Sequence, residues 1–212
     1  MNKKRRAVQS KQSKRLVNEA RAWQNGGDIE LHLYGRALRR AAKTIIANLD
    51  LKPNPVGGWD AGPIILLYRH AMELHLKELV GEGSGLLQNP VDPLTLYKTH
   101  SLRWLAQIVC QIIKAVGWEA RFICEGVADG VAFSALIGEL EAADPVASAV
   151  MSIERRRDGS VPPFLQPANV VLLSRRLDAV LDLLDATTDA LAAVEATGDS
   201  EKGGFGVPSI IQ

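Results

Sequence analysis

Residues 60–81 read DAGPIILLYRHAMELHLKELVG. This is the most concentrated apolar run in the chain, and its spacing is helical. Pro63 suits a first helical turn, where its missing N–H removes no bond. Asp60 stands where an N-cap is wanted, and Gly81 and Gly83 supply the stop. At about 100° per residue, Ile64, Ile65, Leu67, Tyr68, Ala71, Met72, Leu74, Leu76 and Leu79 cover one broad side. An arc that wide touches two or three neighbouring helices. The remaining strip carries Arg69, Glu73 and Lys77 at i, i+4 and i+8, alternating in sign so that neighbours pair along it. His75 falls near the middle of the apolar arc and is expected to point inward or into an interface.

The rest of the chain is consistent with a bundle built around this helix. Its 212 residues are enough for one domain with a full core, and 47% apolar content marks a globular chain. Two cysteines, Cys110 and Cys124, make neither a disulfide framework nor a metal cluster, and fit a reducing cytosol. No apolar run approaches the roughly 20 residues that span a bilayer. The basic start MNKKRR lacks a following apolar stretch, so no secretory signal is expected. These features predict a cytoplasmic protein with no membrane association. The formal net charge of +1 hides an asymmetry. Residues 1–43 hold 12 Lys+Arg against 3 Asp+Glu, and the remainder holds 13 against 21. A split of that size raises a polyanion partner as one reading and a solvated tail as the other.

In chain order, residues 1–9 are expected to be a basic disordered tail, 10–196 a single helical domain, and 197–212 a flexible C-terminal tail. Within the domain a first short helix is expected near 10–24. A second, over about 29–49, buries Leu31, Tyr34, Leu38, Ala41, Ile45 and Leu49 and turns His32, Arg36, Arg39, Arg40 and Lys43 to the opposite side. That basic face is a candidate for nucleic-acid phosphates, although ordinary solvated helices show the same pattern and no aromatic is interleaved for stacking. Residues 50–59 read as a loop. After the central helix, about 18 residues (81–98) read as an irregular connection. Thr99 or Ser101 caps a helix burying Leu102, Leu105, Ala106, Val109, Ile112, Ile113 and Val116, ended by Gly117. Residues 118–130 are ambiguous, with one or two helical turns as one option. A helix follows over 131–143. Asp158-Gly159 marks a tight turn whose flanks form either a short hairpin or an extended excursion, with Arg155-Arg156-Arg157 beside it. Asn169 caps a last helix to about 196. Its Leu173, Leu177, Val180, Leu184, Thr187, Leu191 and Val194 step by fours and threes as a heptad seam.

The fold class expected is therefore all-α, an antiparallel helical bundle of five to seven helices. No phosphate-binding Gly loop, HExxH, CxxC pair or GxSxG occurs, which argues against the chemistries those motifs serve; no cofactor or metal is implied.

The block Tyr68-Arg69-His70-Ala71-Met72-Glu73-Leu74-His75-Leu76-Lys77, followed by Thr99-His100-Ser101-Leu102, resembles the HEPN-like proteins (higher eukaryotes and prokaryotes nucleotide-binding). They commonly pair an R-x-A-x-E-L-x-L-K helix with a T-H-x-L opening of the next one. The resemblance covers roughly residues 29–195. It implies an antiparallel bundle, frequently a homodimer, in a family that holds RNA-cutting toxins and defence proteins together with many noncatalytic members. The family's nuclease motif is an Arg, then four to six residues, then His, usually with a polar residue right after the Arg and usually on a later helix than this one. Arg69 and His75 satisfy the spacing, with His70 in the polar place after the Arg, and no His follows His100. As a catalytic set they imply metal-independent RNA cleavage, with an imidazole moving the proton and Arg69 holding the phosphate. The plain alternative has His75 as a packed histidine, Arg69 paired with Glu73, and His100 as a capping residue.

Three functions follow. One is a noncatalytic RNA-associated or partner-binding module of a prokaryotic stress or defence system. The second is a metal-independent endoribonuclease. The third is a dimerisation scaffold without nucleic-acid binding.

Overall fold

The computed structural model describes residues 28–48, 58–143 and 167–198. The helix expected near 10–24, the turn at Asp158-Gly159 and both tails lie outside them. Six α-helices occur among the described residues: α1 (Asp28–Ala47), α2 (Gly58–Gly83), α3 (Pro93–Lys98), α4 (Leu102–Ala115), α5 (Gly130–Ala143) and α6 (Pro167–Gly198). They pack into an all-α bundle, and no strand forms among these residues.

α2 is the helix the others gather on. It packs against α1, α6 and α4 over long contacts and touches α3 and α5. Ile64, Ile65, Tyr68, Ala71, Met72, Leu76 and Leu79 are buried, as their arc requires. The strip of Arg69, Glu73 and Lys77 is buried as well, because α3 and the link to α4 cover it. The helix starts at Gly58, so Asp60 lies inside it, and Pro63 is an internal residue close to the start. It also runs through Gly81 to Gly83.

The connection after α2 is more ordered than its Gly and Pro content implies. Ser84–Leu86 forms one 3-10 turn, and Pro93–Lys98 forms a short helix. Pro93 takes the first position of α3, and the Asp92 side chain accepts from Thr95 N at 3.0 Å. Leu96 anchors α3 in the core. Ser101, not Thr99, caps α4, its Oγ accepting from Trp104 N. Gly117, at φ +72°, closes the same helix: Trp118 N–H returns to Ile113 O and Gly117 N–H to Lys114 O. Only a residue tolerant of left-handed backbone closes that motif without strain. Residues 118–129 make turns and one isolated antiparallel bridge, Cys124 with Val127, so the helical option there does not hold.

α1 differs from its expected orientation. Gly35 and Ala42 are buried, with Leu38, Ile45 and Ile46 packed beside them, whereas Tyr34 and Ala41 are exposed. The inward face is rotated by about one residue, toward small side chains that let α1 approach α2 closely. α6 keeps its seam: Leu177, Val180, Leu184, Thr187 and Leu191 are all buried.

Candidate functional site

The chemistry-bearing side chains of α2 point to two different places. Arg69, Glu73 and Lys77 face α3 and the α3–α4 link; Tyr68 and His75 face α1 and α6.

The first cluster is centred on one carboxylate. Glu73 Oε2 accepts from Arg69 NH1 at 3.1 Å, and Oε1 accepts from Lys77 Nζ at 2.9 Å and from His100 Nδ1 at 2.8 Å. Arg69 is 2% exposed, Glu73 5% and Lys77 5%. The two cations also hold the incoming chain by its carbonyls, Arg69 NH2 donating to His100 O at 2.8 Å and Lys77 Nζ to Tyr97 O at 3.4 Å. Burial alone would raise the Glu73 pKa. Lys77 and then His100 outweigh it, and the carboxyl stays below its ordinary range. His100 is not the helix cap. Its Nδ1 donates to Glu73, which orients the ring and leaves Nε2 outward on a side chain 68% exposed.

Beside this cluster lies an open cleft of about 350 Å³, lined by Leu31, Leu74, Lys77, Tyr97, Lys98 and His100. Its lining holds two lysines, an imidazole and one phenol ring, over two leucines, with no carboxylate among them.

The second cluster is a seam between α1, α2 and α6. His75 is 1% exposed. Its Nδ1 lies 2.7 Å from Ala71 O, a carbonyl that only accepts, so Nδ1 carries the hydrogen. Nε2 lies 3.0 Å from Asp185 Oδ1. Asp185 Oδ2 in turn accepts from Arg36 Nε at 3.2 Å. Gly35 makes room for the imidazole: a Cβ there would come within 2.5 Å of its Cε1. The Tyr68 hydroxyl is buried nearby, and burial, then the Asp178 carboxylate, push its pKa up.

The basic residues of α1 are engaged in the same seam. Arg39 Nε donates to Asp178 at 2.6 Å, and its two NH groups reach Asp178 O and Asp182. Lys43 Nζ is 3.3 Å from Asp178. Burial pulls the Arg39 pKa down, but Asp182 and Asp178 together hold it above its ordinary value, and Arg39 lowers Asp182 in return. Arg36, Arg39 and Lys43 thus meet Asp185, Asp182 and Asp178 in reverse order, as antiparallel helices require. Arg40 is exposed; the side chain of His32 lies outside the described residues.

The Arg–His motif is therefore split between two clusters on different sides of one helix. His70, between them, is half-buried. A base and a phosphate-holding cation act on one bond only if both reach it, the base to within about 3 Å of the proton it takes. Neither Arg69 nor His75 offers a free approach. Tyr97, Lys98 and the three aspartates were not singled out from sequence. The acids at 178, 182 and 185, spaced four and three, mirror the cations at 36, 39 and 43, spaced three and four, and that complementarity was the available signal.

Among the described residues no group of His, Cys, Asp and Glu is placed to hold a metal, and no helix is long and apolar enough to cross a membrane. Cys110 and Cys124 are both free thiols whose pKa burial raises. Comparison with family models, curated proteins and solved structures found no match.

Proposed function

We propose that this chain is a HEPN-like, noncatalytic, RNA-associated module, acting in the stress or defence setting that the resemblance implies. The cleft carries the reading: Lys77, Lys98, His100 and Tyr97 line one solvent-open surface with no carboxylate on it. Cations that meet phosphate, beside a ring on which a base can stack, are the ordinary elements of sequence-tolerant RNA binding. The noncatalytic part is supported by the commitment of Arg69 to Glu73 and the sealing of His75 against Asp185. The basic face of α1 contributes less to this reading, since Asp178, Asp182 and Asp185 already occupy Arg36, Arg39 and Lys43.

The test is fluorescence anisotropy with a labelled single-stranded RNA over a NaCl series. Affinity is expected to fall linearly on a log–log plot, and Lys98→Gln is expected to weaken binding and make the slope shallower by about one unit. Binding that ignores salt, or ignores Lys98, refutes the RNA reading. The same RNA incubated with EDTA between pH 5 and pH 9 is expected to stay intact. Cleavage lost in a folded His75→Ala protein would restore the endoribonuclease.

A further inference from the structure

We propose that the cleft beside His100 recognises the ribose of an RNA strand, with His100 Nε2 accepting from a 2′-hydroxyl while Lys98 meets the neighbouring phosphate. This rests on the RNA-associated reading and deepens it, from contact with phosphates to a choice of RNA over DNA.

The hydrogen on the ring decides what the ring can recognise. His100 Nδ1 lies 2.8 Å from Glu73 Oε1. Burial works against the charge on Glu73, but Lys77 and then His100 outweigh it and keep the carboxyl ionised. A carboxylate only accepts, so Nδ1 carries the hydrogen, and the neutral ring has a lone pair at Nε2. That atom accepts in its turn. A phosphate oxygen has nothing to give it, whereas an O–H does.

The ring is fixed before a ligand arrives. Glu73 is 5% exposed, and its other oxygen accepts from Arg69 NH1 at 3.1 Å. The His100 carbonyl accepts from Arg69 NH2 at 2.8 Å, so His100 is tied through both its backbone and its ring. An acceptor already oriented loses little freedom on binding.

Lys98 is placed to complete the contact. It is the last residue of α3 and is exposed, and the backbone of Thr99 beyond it is extended. Two residues of extended chain span about 7 Å, and positions i and i+2 of such a chain share a side. Lys98 and His100 accordingly line the same cleft. In RNA the 2′-hydroxyl stands on the carbon next to the one that bears the 3′-phosphate, so a donor and an anion arrive together. Lys77 adds less, because Glu73 Oε1 and Tyr97 O already accept from its ammonium. Leu31 and Leu74 give the sugar an apolar floor. DNA keeps the phosphate and lacks the hydroxyl, which is the group by which a protein tells the two apart.

A free nucleotide with a 2′-hydroxyl beside a 3′-phosphate offers the same pair, and the experiment separates it from a strand. One single-stranded 12-mer sequence is made as RNA, as DNA and as 2′-fluoro RNA, which keeps the RNA-like sugar pucker and lacks the hydroxyl hydrogen. Each is titrated by anisotropy at fixed salt, with adenosine 3′-monophosphate as competitor. RNA is expected to bind about fivefold tighter than either of the others. In His100→Phe, checked by thermal melting, the three are expected to fall within about twofold of one another. Lys98→Gln is expected to weaken all three and to keep the preference for RNA. A 15N spectrum of the wild-type histidines gives a readout that needs no variant: RNA is expected to move the Nε2 resonance of His100, and 2′-fluoro RNA to move it markedly less. Equal affinity of the wild type for the three strands overturns the ribose contact and leaves the phosphate contacts of the RNA reading in place. A preference for RNA that survives His100→Phe overturns the assignment to this ring. Adenosine 3′-monophosphate bound through His100, with no strand bound, upholds the pair for a free nucleotide and overturns the RNA reading. No binding of strand or nucleotide overturns both.

Discussion

Glu73 carries a heavy electrostatic burden, because three donors converge on it inside the bundle. Glu73→Gln leaves Arg69 and Lys77 buried around a neutral amide and is expected to cost about 3–5 kcal/mol in urea unfolding. Its pKa is depressed from 4.5 in the folded state. The stability it contributes is therefore complete above that value and is lost as pH falls through the lower, folded one. Stability measured downward from pH 5 is expected to fall, and to fall less steeply in Glu73→Gln. The seam gives a second expectation. Gly35→Ala brings a methyl against the His75 ring and is expected to destabilise by about 1–3 kcal/mol. In a His75→Ala background the same change is expected to cost markedly less, as a double-mutant cycle would record. The sequence alone placed His75 inward, and its angle on α2 sufficed for that. It did not place Arg69 and Lys77 inside, since a strip of alternating charges reads as solvated until a covering segment is known.

At the scale of elements, the α1–α6 pairing is the chief addition that three dimensions make. Cations on α1 read as an outer face because a pattern within one helix cannot show what stands opposite. The rotated face of α1 has a related cause: apolar size drew attention to Tyr34 and away from Gly35 and Ala42, which are the residues in close contact. The ion pairs are partly exposed, so each contributes at most about 1 kcal/mol. The double variant Asp178→Asn, Asp182→Asn is expected to speed hydrogen exchange along α1 while leaving α4 protected. Exchange that accelerates equally in both helices would mean that α1 does not open separately. By contrast α4 and α6 were legible almost residue by residue, because each has one clear apolar stripe and α4 has a defined stop at Gly117.

At the scale of the whole molecule, the all-α architecture followed from helical periodicity, and the boundaries of α4, α5 and α6 moved by only a few residues. The connection between α2 and α4 did not follow, because glycine-flanked turns and short capped helices are decided by contacts with α2 and not by local propensity. Here Gly83 and Gly85 bracket Ser84, and Leu96 is drawn into the core. The same connection has a practical corollary. Gln88, Asn89 and Pro90 are exposed, while the stretch just beyond them is clasped through the carbonyls of Tyr97 and His100. A protease site introduced at 88–90 should therefore yield two pieces that co-elute on a sizing column after cutting, because α2 stays packed against α4 and α6. Separately expressed halves split at this point would then reassemble, making the bundle a candidate for fragment complementation.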